Sequence, residues 1–126
     1  MSNTKTQKPI QISFASRWQK KFVCALRGLT VSIRGQNSFY VHLPAALIVL
    51  LVAWILSVTY VEWLVLILCI TLVLSVELFN TAIEHLARAV TREEHPEIRD
   101  ALDVASAAVL VAAMGASVVG LLVLVW

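Results

Sequence analysis

Residues 68–90 read "LCITLVLSVELFNTAIEHLARAV". The stretch is apolar enough to cross a bilayer, yet it carries Glu77, Asn80 and Glu84. On a helix advancing about 100° per residue, Asn80 lies about 60° from Glu77, and Glu84 returns to within about 20° of it. All three therefore share one face, with Ser75 and Thr81 adding small polar groups nearby. A charged side chain at the centre of a span costs about 2.5–3.5 kcal/mol on the insertion scale and normally faces a bundle interior or a wet cavity. Hydrogen-bonded glue between helices supplies only about 1 kcal/mol per contact, and serine or threonine would supply it without a charge. Two carboxylates with an amide between them on one face point instead to a division into base and cation ligand.

The rest of the chain fits that setting. Of its 126 residues 60% are hydrophobic and 14% charged, and the mean hydropathy is +0.84. A soluble domain of this size could not cover apolar runs long enough to cross a membrane. Three such runs stand out: Leu43 to Thr59, Trp63 to about Leu86, and Val104 to Trp126. The link between the first two, in effect "YVEW", is short enough to force an antiparallel hairpin. The fold class expected is an all-α membrane protein with an amphipathic surface helix and three transmembrane helices.

Charge placement orients the spans. All 10 Lys and Arg lie before the first run or around the second loop, the latter at Arg88, Arg92 and Arg99. The positive-inside rule makes both regions cytoplasmic, with the N-terminus inside, and sends the 59–63 turn and Trp126 outward. Counting inward from Trp63 at about 1.5 Å per residue puts Glu77 about 21 Å deep and Glu84 near the inner interface.

Residues 14–34, "FASRWQKKFVCALRGLTVSIR", repeat Trp18, Phe22, Ala25, Leu29 and Ile33 at helical spacing, with Arg17, Lys20, Lys21, Arg27 and Arg34 on other sides. A helix so patterned lies in the headgroup plane, drawn to anionic lipid. "GQNS" at 35–38 then breaks it. Residues 1–13 are polar and read as a disordered tail without a signal peptide, and 14–126 as one domain. Cys24 and Cys69 imply no disulfide framework. His42 and His85 lack the spacing of a zinc site. The alternating charges of 91–103, with Arg99 and Asp103 four apart, suggest a solvated helical loop. Ala105, Ser106, Ala107, Ala112, Ala113, Gly115 and Ala116 permit close helix contact and suggest an oligomer.

The segment "VELFNTAIEHLARAVTREEHPEIRDALDVASAAVLVAA" resembles the signature of the small bacterial membrane lipid kinases, the diacylglycerol kinase and undecaprenol kinase family. Its elements are V-E-x-x-N-[ST]-A-I-E, then E-x-H, then D-x-x-[SA]-[AG]-A-V-L. The likeness extends upstream through "ALRGL" and "FYVHLPAA" and covers about residues 14 to 122. It implies a homotrimer in the bacterial cytoplasmic membrane, with sites shared between subunits, where ATP and Mg2+ meet a lipid hydroxyl; no nucleic acid is expected as a partner. Glu77 would be the general base, and Asn80 would hydrogen-bond within the site and help to position the base or the phosphate. Glu84 would ligate Mg2+. Arg17, Glu93, His95 and Asp103 would lie around the nucleotide.

Several positions depart from the family pattern. Gln36 stands where a second acidic Mg2+ ligand is usual, and an amide oxygen coordinates without charge. Leu102 replaces a usual lysine, Tyr40 a common arginine, and Arg88 a frequent aspartate. Arg88, one turn after Glu84, could take over phosphate neutralisation or act as a snorkelling anchor. No Walker motif or soluble-kinase signature is present. Diacylglycerol is the substrate expected first, undecaprenol the alternative. A non-catalytic lipid-binding relative and an ion-conducting subunit are the other classes, the latter leaving the loop motif unexplained.

Overall fold

The computed structural model describes residues 14–125, and all its regular structure is helical. The expected disordered tail at 1–13 and the outward Trp126 lie outside the described residues. Four helices follow in order: α1 (Phe14–Gly35), α2 (Phe39–Ile55), α3 (Tyr60–Val90) and α4 (Pro96–Val125). The chain divides into two compact units after Val31.

The first unit consists of α1 up to Val31. Its apolar positions Trp18, Phe22 and Leu29 are exposed. The Trp18 ring meets Phe14 edge-on at 6.0 Å between centroids, and Lys21 Nζ sits 5.0 Å from the Trp18 ring centroid. Both contacts follow from i,i+4 and i,i+3 spacing on one helix.

In the second unit α3 packs chiefly against α4, and α2 against α3 with a smaller contact to α4. Helices α3 and α4, of 31 and 30 residues, are long and apolar enough to cross a membrane. At about 1.5 Å per residue α3 is about 47 Å long, well beyond a hydrocarbon core of about 30 Å. At least one end of α3 must therefore emerge from the bilayer. Outer faces of these helices carry large exposed apolar side chains such as Trp54, Phe79, Val111 and Leu121, as lipid contact requires.

Helix boundaries correct the sequence expectation at three places. The first apolar run was expected at Leu43 to Thr59, but α2 starts at Phe39 and ends at Ile55. Backbone N–H groups of Tyr40, Val41 and His42 turn back onto Asn37 and Ser38 carbonyls within 3.1 Å, so the polar first turn is already helical. Pro44 sits inside α2 and withdraws the N–H that the Tyr40 carbonyl would otherwise meet.

"YVEW" is not the interhelical link either. The link is Leu56–Thr59, with Ser57 at φ 52, and Tyr60 opens α3. Thr59 and Glu62 form a capping box: Glu62 N–H donates to Thr59 Oγ1 at 3.4 Å and Thr59 N–H to Glu62 Oε2 at 2.6 Å. Hydropathy marks bilayer thickness, whereas caps are set by local hydrogen bonding, so α3 begins before its apolar run.

The third correction is at 91–103. Only Thr91–His95 is loop, and α4 starts at Pro96, eight residues before the expected span. Proline suits the first helical position because its missing N–H would be unpaired there anyway. Arg99 pairs with Asp100 at 3.7 Å rather than with Asp103.

Small residues let α3 and α4 approach. Ala105 and Gly120 are buried, and a Cβ placed on Gly120 would stand 3.9 Å from Leu66 Cδ2. Leu66, 1% exposed, also borders an apolar groove of about 340 Å3 between α2, α3 and α4. Truncation to Leu66→Ala is expected to destabilise the bundle by about 2 kcal/mol, the low end of the large-to-small range, because lipid can replace some lost contacts. Thermal unfolding in detergent measures it.

Candidate active site on helix α3

The face forecast from helical spacing is the buried face of α3. Glu77 is 1% exposed, Thr81 2% and Asn80 7%. Asn80 and Thr81 lie three and four residues after Glu77, so one stripe of the helix holds them against the bundle. Thr81 Oγ1 donates to the Glu77 carbonyl at 2.9 Å, which satisfies the hydroxyl within the helix and leaves the Glu77 carboxylate unengaged. Among the described residues Glu77 Oε1 and Asn80 Oδ1 are buried without a hydrogen-bond partner. Such atoms are costly in an apolar interior, and their occurrence together makes this stripe the candidate site.

Glu84 is the hub of the cluster. Asn80 Nδ2 donates to its Oε1 at 3.0 Å, and Gln36 Nε2 donates to its Oε2. Arg88 Nη1 lies 3.7 Å from the same Oε2. Asn80, Glu84 and Arg88 follow at i,i+4 along α3, so helix geometry alone lines them up. Gln36 arrives from the turn between α1 and α2, 48 residues away in sequence. The break at "GQNS" releases the chain from α1 and makes that approach possible.

The cluster contains the oxygen donor types that a hard cation takes. Among the described residues no group of three or more His, Cys, Asp or Glu side chains converges as a self-sufficient metal site. Glu84, however, sits directly against Gln36 and Asn80, whose amides could turn oxygen toward a cation. Magnesium is usually held by one or two carboxylates together with substrate phosphates rather than by an all-protein cage, so one carboxylate flanked by two amides fits it.

Other expected site residues of the second unit make no hydrogen bond or ion pair to this cluster. Glu93 and His95, in the α3–α4 turn, border an open depression of about 530 Å3 together with Arg88. Arg92 and Arg99 border the same depression, a role that their spacing in the sequence does not indicate. The gathering of Arg88, Arg92 and Arg99 around one short loop was the available signal. Asp103 is exposed on the second turn of α4 and outside the depression's lining. Arg17 is exposed on α1, in the first unit.

Residues 23–124 match the family model described as prokaryotic diacylglycerol kinase. The chain is also 37% identical over 108 residues to an undecaprenol kinase of Bacillus subtilis (strain 168), covering 86% of this chain and 88% of that relative. Matches over most of the length, on a chain with two helices long and apolar enough to cross a membrane, lead to one conclusion: this chain is a membrane lipid kinase of the prokaryotic diacylglycerol kinase family.

Proposed function

We propose that the protein transfers the γ-phosphoryl group of ATP to the hydroxyl of a membrane lipid at the cytoplasmic face of a bacterial membrane, with Mg2+ on the phosphates. The observation that carries this reading is the junction of Glu77, buried with an unpartnered carboxylate oxygen, with the Glu84 hub on one face of α3. In the transfer the lipid oxygen bonds to the γ-phosphorus, the bond from phosphorus to the β–γ bridging oxygen breaks, and ADP leaves. Glu77 takes the hydroxyl proton. Asn80 holds Glu84 in place and presents its free carbonyl oxygen to the site.

Glu84 and Gln36 would hold the cation, which offsets charge building on the phosphates. Arg88, Glu93 and His95 would border the nucleotide, since all three line one depression beside the hub. Arg17 and Asp103 are assigned to the nucleotide on the family pattern alone. The orientation follows from the basic residues: the N-terminus and the α3–α4 turn inside, the Leu56–Thr59 link outside. Helix α2, of 17 residues, is then the first of three spans, at about 26 Å slightly short of the core. An oligomer is supported by Ser106, Ala107 and Gly115, small residues left exposed on α4; that it is a homotrimer rests on the family pattern alone.

Two lipid alcohols have separate support. Diacylglycerol rests on the family's description and undecaprenol on the Bacillus subtilis relative. Reconstituted protein given Mg2+, labelled ATP and each alcohol separately is expected to yield phosphorylated lipid, with one alcohol turned over at least about tenfold faster, a gap that 1.4 kcal/mol of differential binding would produce. Failure with both alcohols, with nucleotide and metal in excess, would leave a non-catalytic lipid binder.

A further inference from the structure

Arg88 belongs to two environments at once. Its Nη1 is 3.7 Å from Glu84 Oε2, and the same side chain lines the depression shared with Arg92, His95 and Arg99. Its side chain is 61% exposed against 26% for Glu84, so the guanidinium is not locked in place by packing. The other two groups on Glu84, Gln36 and Asn80, are neutral amides. Among the described residues Arg88 is therefore the one cation paired with Glu84. Glu84 thus offers an approaching divalent cation a charge already offset.

We infer that Arg88 is a charge switch. With no metal–nucleotide in the site its guanidinium rests on Glu84 and suppresses binding of a bare cation. When the metal–nucleotide enters, Arg88 gives up Glu84 and turns to the phosphates on the side of the depression. A guanidinium suits both positions, since its planar fork matches carboxylate and phosphate alike and keeps its charge throughout. No bond is made or broken in this exchange; one ion pair replaces another. The inference rests on Glu84 as the cation ligand, as proposed above, and adds an order of events: cation and nucleotide are admitted together rather than cation first.

The switch makes two predictions of opposite sign for Arg88→Ala. Loss of the competing charge should tighten binding of bare cation by about two- to fivefold, the range for a partly exposed ion pair. Loss of the phosphate partner should weaken binding of the metal–nucleotide by about tenfold, as expected for a charge-assisted hydrogen bond. Arg88→Lys, which keeps charge without the fork, should leave bare-cation affinity near that of the unmodified protein and weaken nucleotide binding by less. A side chain that merely anchors the helix end to headgroups would move neither quantity.

Purified protein in detergent can be titrated with Mn2+ alone, followed by electron paramagnetic resonance, and then with a non-hydrolysable ATP analogue plus Mg2+ by calorimetry. Tighter Mn2+ and weaker analogue binding in Arg88→Ala, with Arg88→Lys close to the unmodified protein for Mn2+, establishes the switch. Unchanged Mn2+ affinity, unchanged analogue affinity, or a joint weakening of both overturns it. Glu84→Gln separates the two levels: if that change leaves Mn2+ binding untouched, Glu84 is not the ligand and the switch falls with that assignment. Dependence of Mn2+ on Glu84 without any tightening in Arg88→Ala removes the switch alone. Neither titration requires turnover.

Discussion

Glu77→Gln is expected to lower kcat for lipid phosphorylation by about 10^2- to 10^4-fold, the range for loss of a general base, and to leave the bundle folded. Glu77 is 1% exposed, and its Oε1 has no partner among the described residues. Its substitution therefore strands no buried counter-charge. An amide has nearly the same shape as the carboxyl group and is less costly to bury than an ionised carboxylate, so the unfolding temperature should hold or rise. The Thr81 bond to the residue-77 carbonyl survives because it uses the backbone. Activity and thermal unfolding measured on the same preparation separate the roles: lost turnover at unchanged stability is the expected pair. Full turnover in Glu77→Gln would remove this carboxylate from the chemistry.

Glu84→Gln should also be severe, but in a different parameter. The change keeps the side chain's length while removing the charge that a hard cation requires. The expected loss in kcat/KM for ATP is at least about 100-fold, since changes merely to groups supporting a metal ligand already cost 10- to 100-fold. Raising Mg2+ or substituting Mn2+ should recover part of the activity, because the defect is in cation affinity. No such recovery is expected in Glu77→Gln. Stability should fall by about 1–2 kcal/mol, as Arg88 loses a partly exposed ion pair and the new amide offers a single oxygen where Asn80 and Gln36 donated to one oxygen each. If both variants responded identically to added cation, the division of labour between the two carboxylates would be wrong.

The contrast between these two residues shows what spacing alone could reveal. Seven residues apart on one helix, Glu77 and Glu84 had to share a face, and α3 places Glu77, Asn80 and Thr81 on its buried side. That Glu77 is left without a partner while Glu84 gathers three could not be read from the spacing. It depends on which neighbouring elements pack at each level of the helix.

Boundaries were legible only where their cause was local chemistry rather than hydropathy. The T-Y-V-E capping box at residues 59–62 and the proline at 96 were both present in the sequence. A search for bilayer-length apolar runs passes over them, because helices that project beyond the membrane end where hydrogen bonds are capped. The same projection carries Arg88 on α3, and Arg92 in the turn just after it, to a depression that α4 completes with Arg99. Arg99 was expected to reach Asp103 by helical spacing but pairs with Asp100, since exposed charges choose partners by side-chain freedom as much as by period.

The sequence by itself determined that the chain is helical and membrane-embedded, and that its polar residues in α3 share one stripe. Both follow from quantities that add along a single chain: apolar length against bilayer thickness, and a rotation of about 100° per residue. Only the tertiary structure decided that Gln36 meets Glu84 across 48 residues, that Glu77 is enclosed while Arg88 stays exposed, and that three arginines border one depression. Those contacts join separate elements, and their positions are set by how helices pack side by side, a geometry no local period encodes.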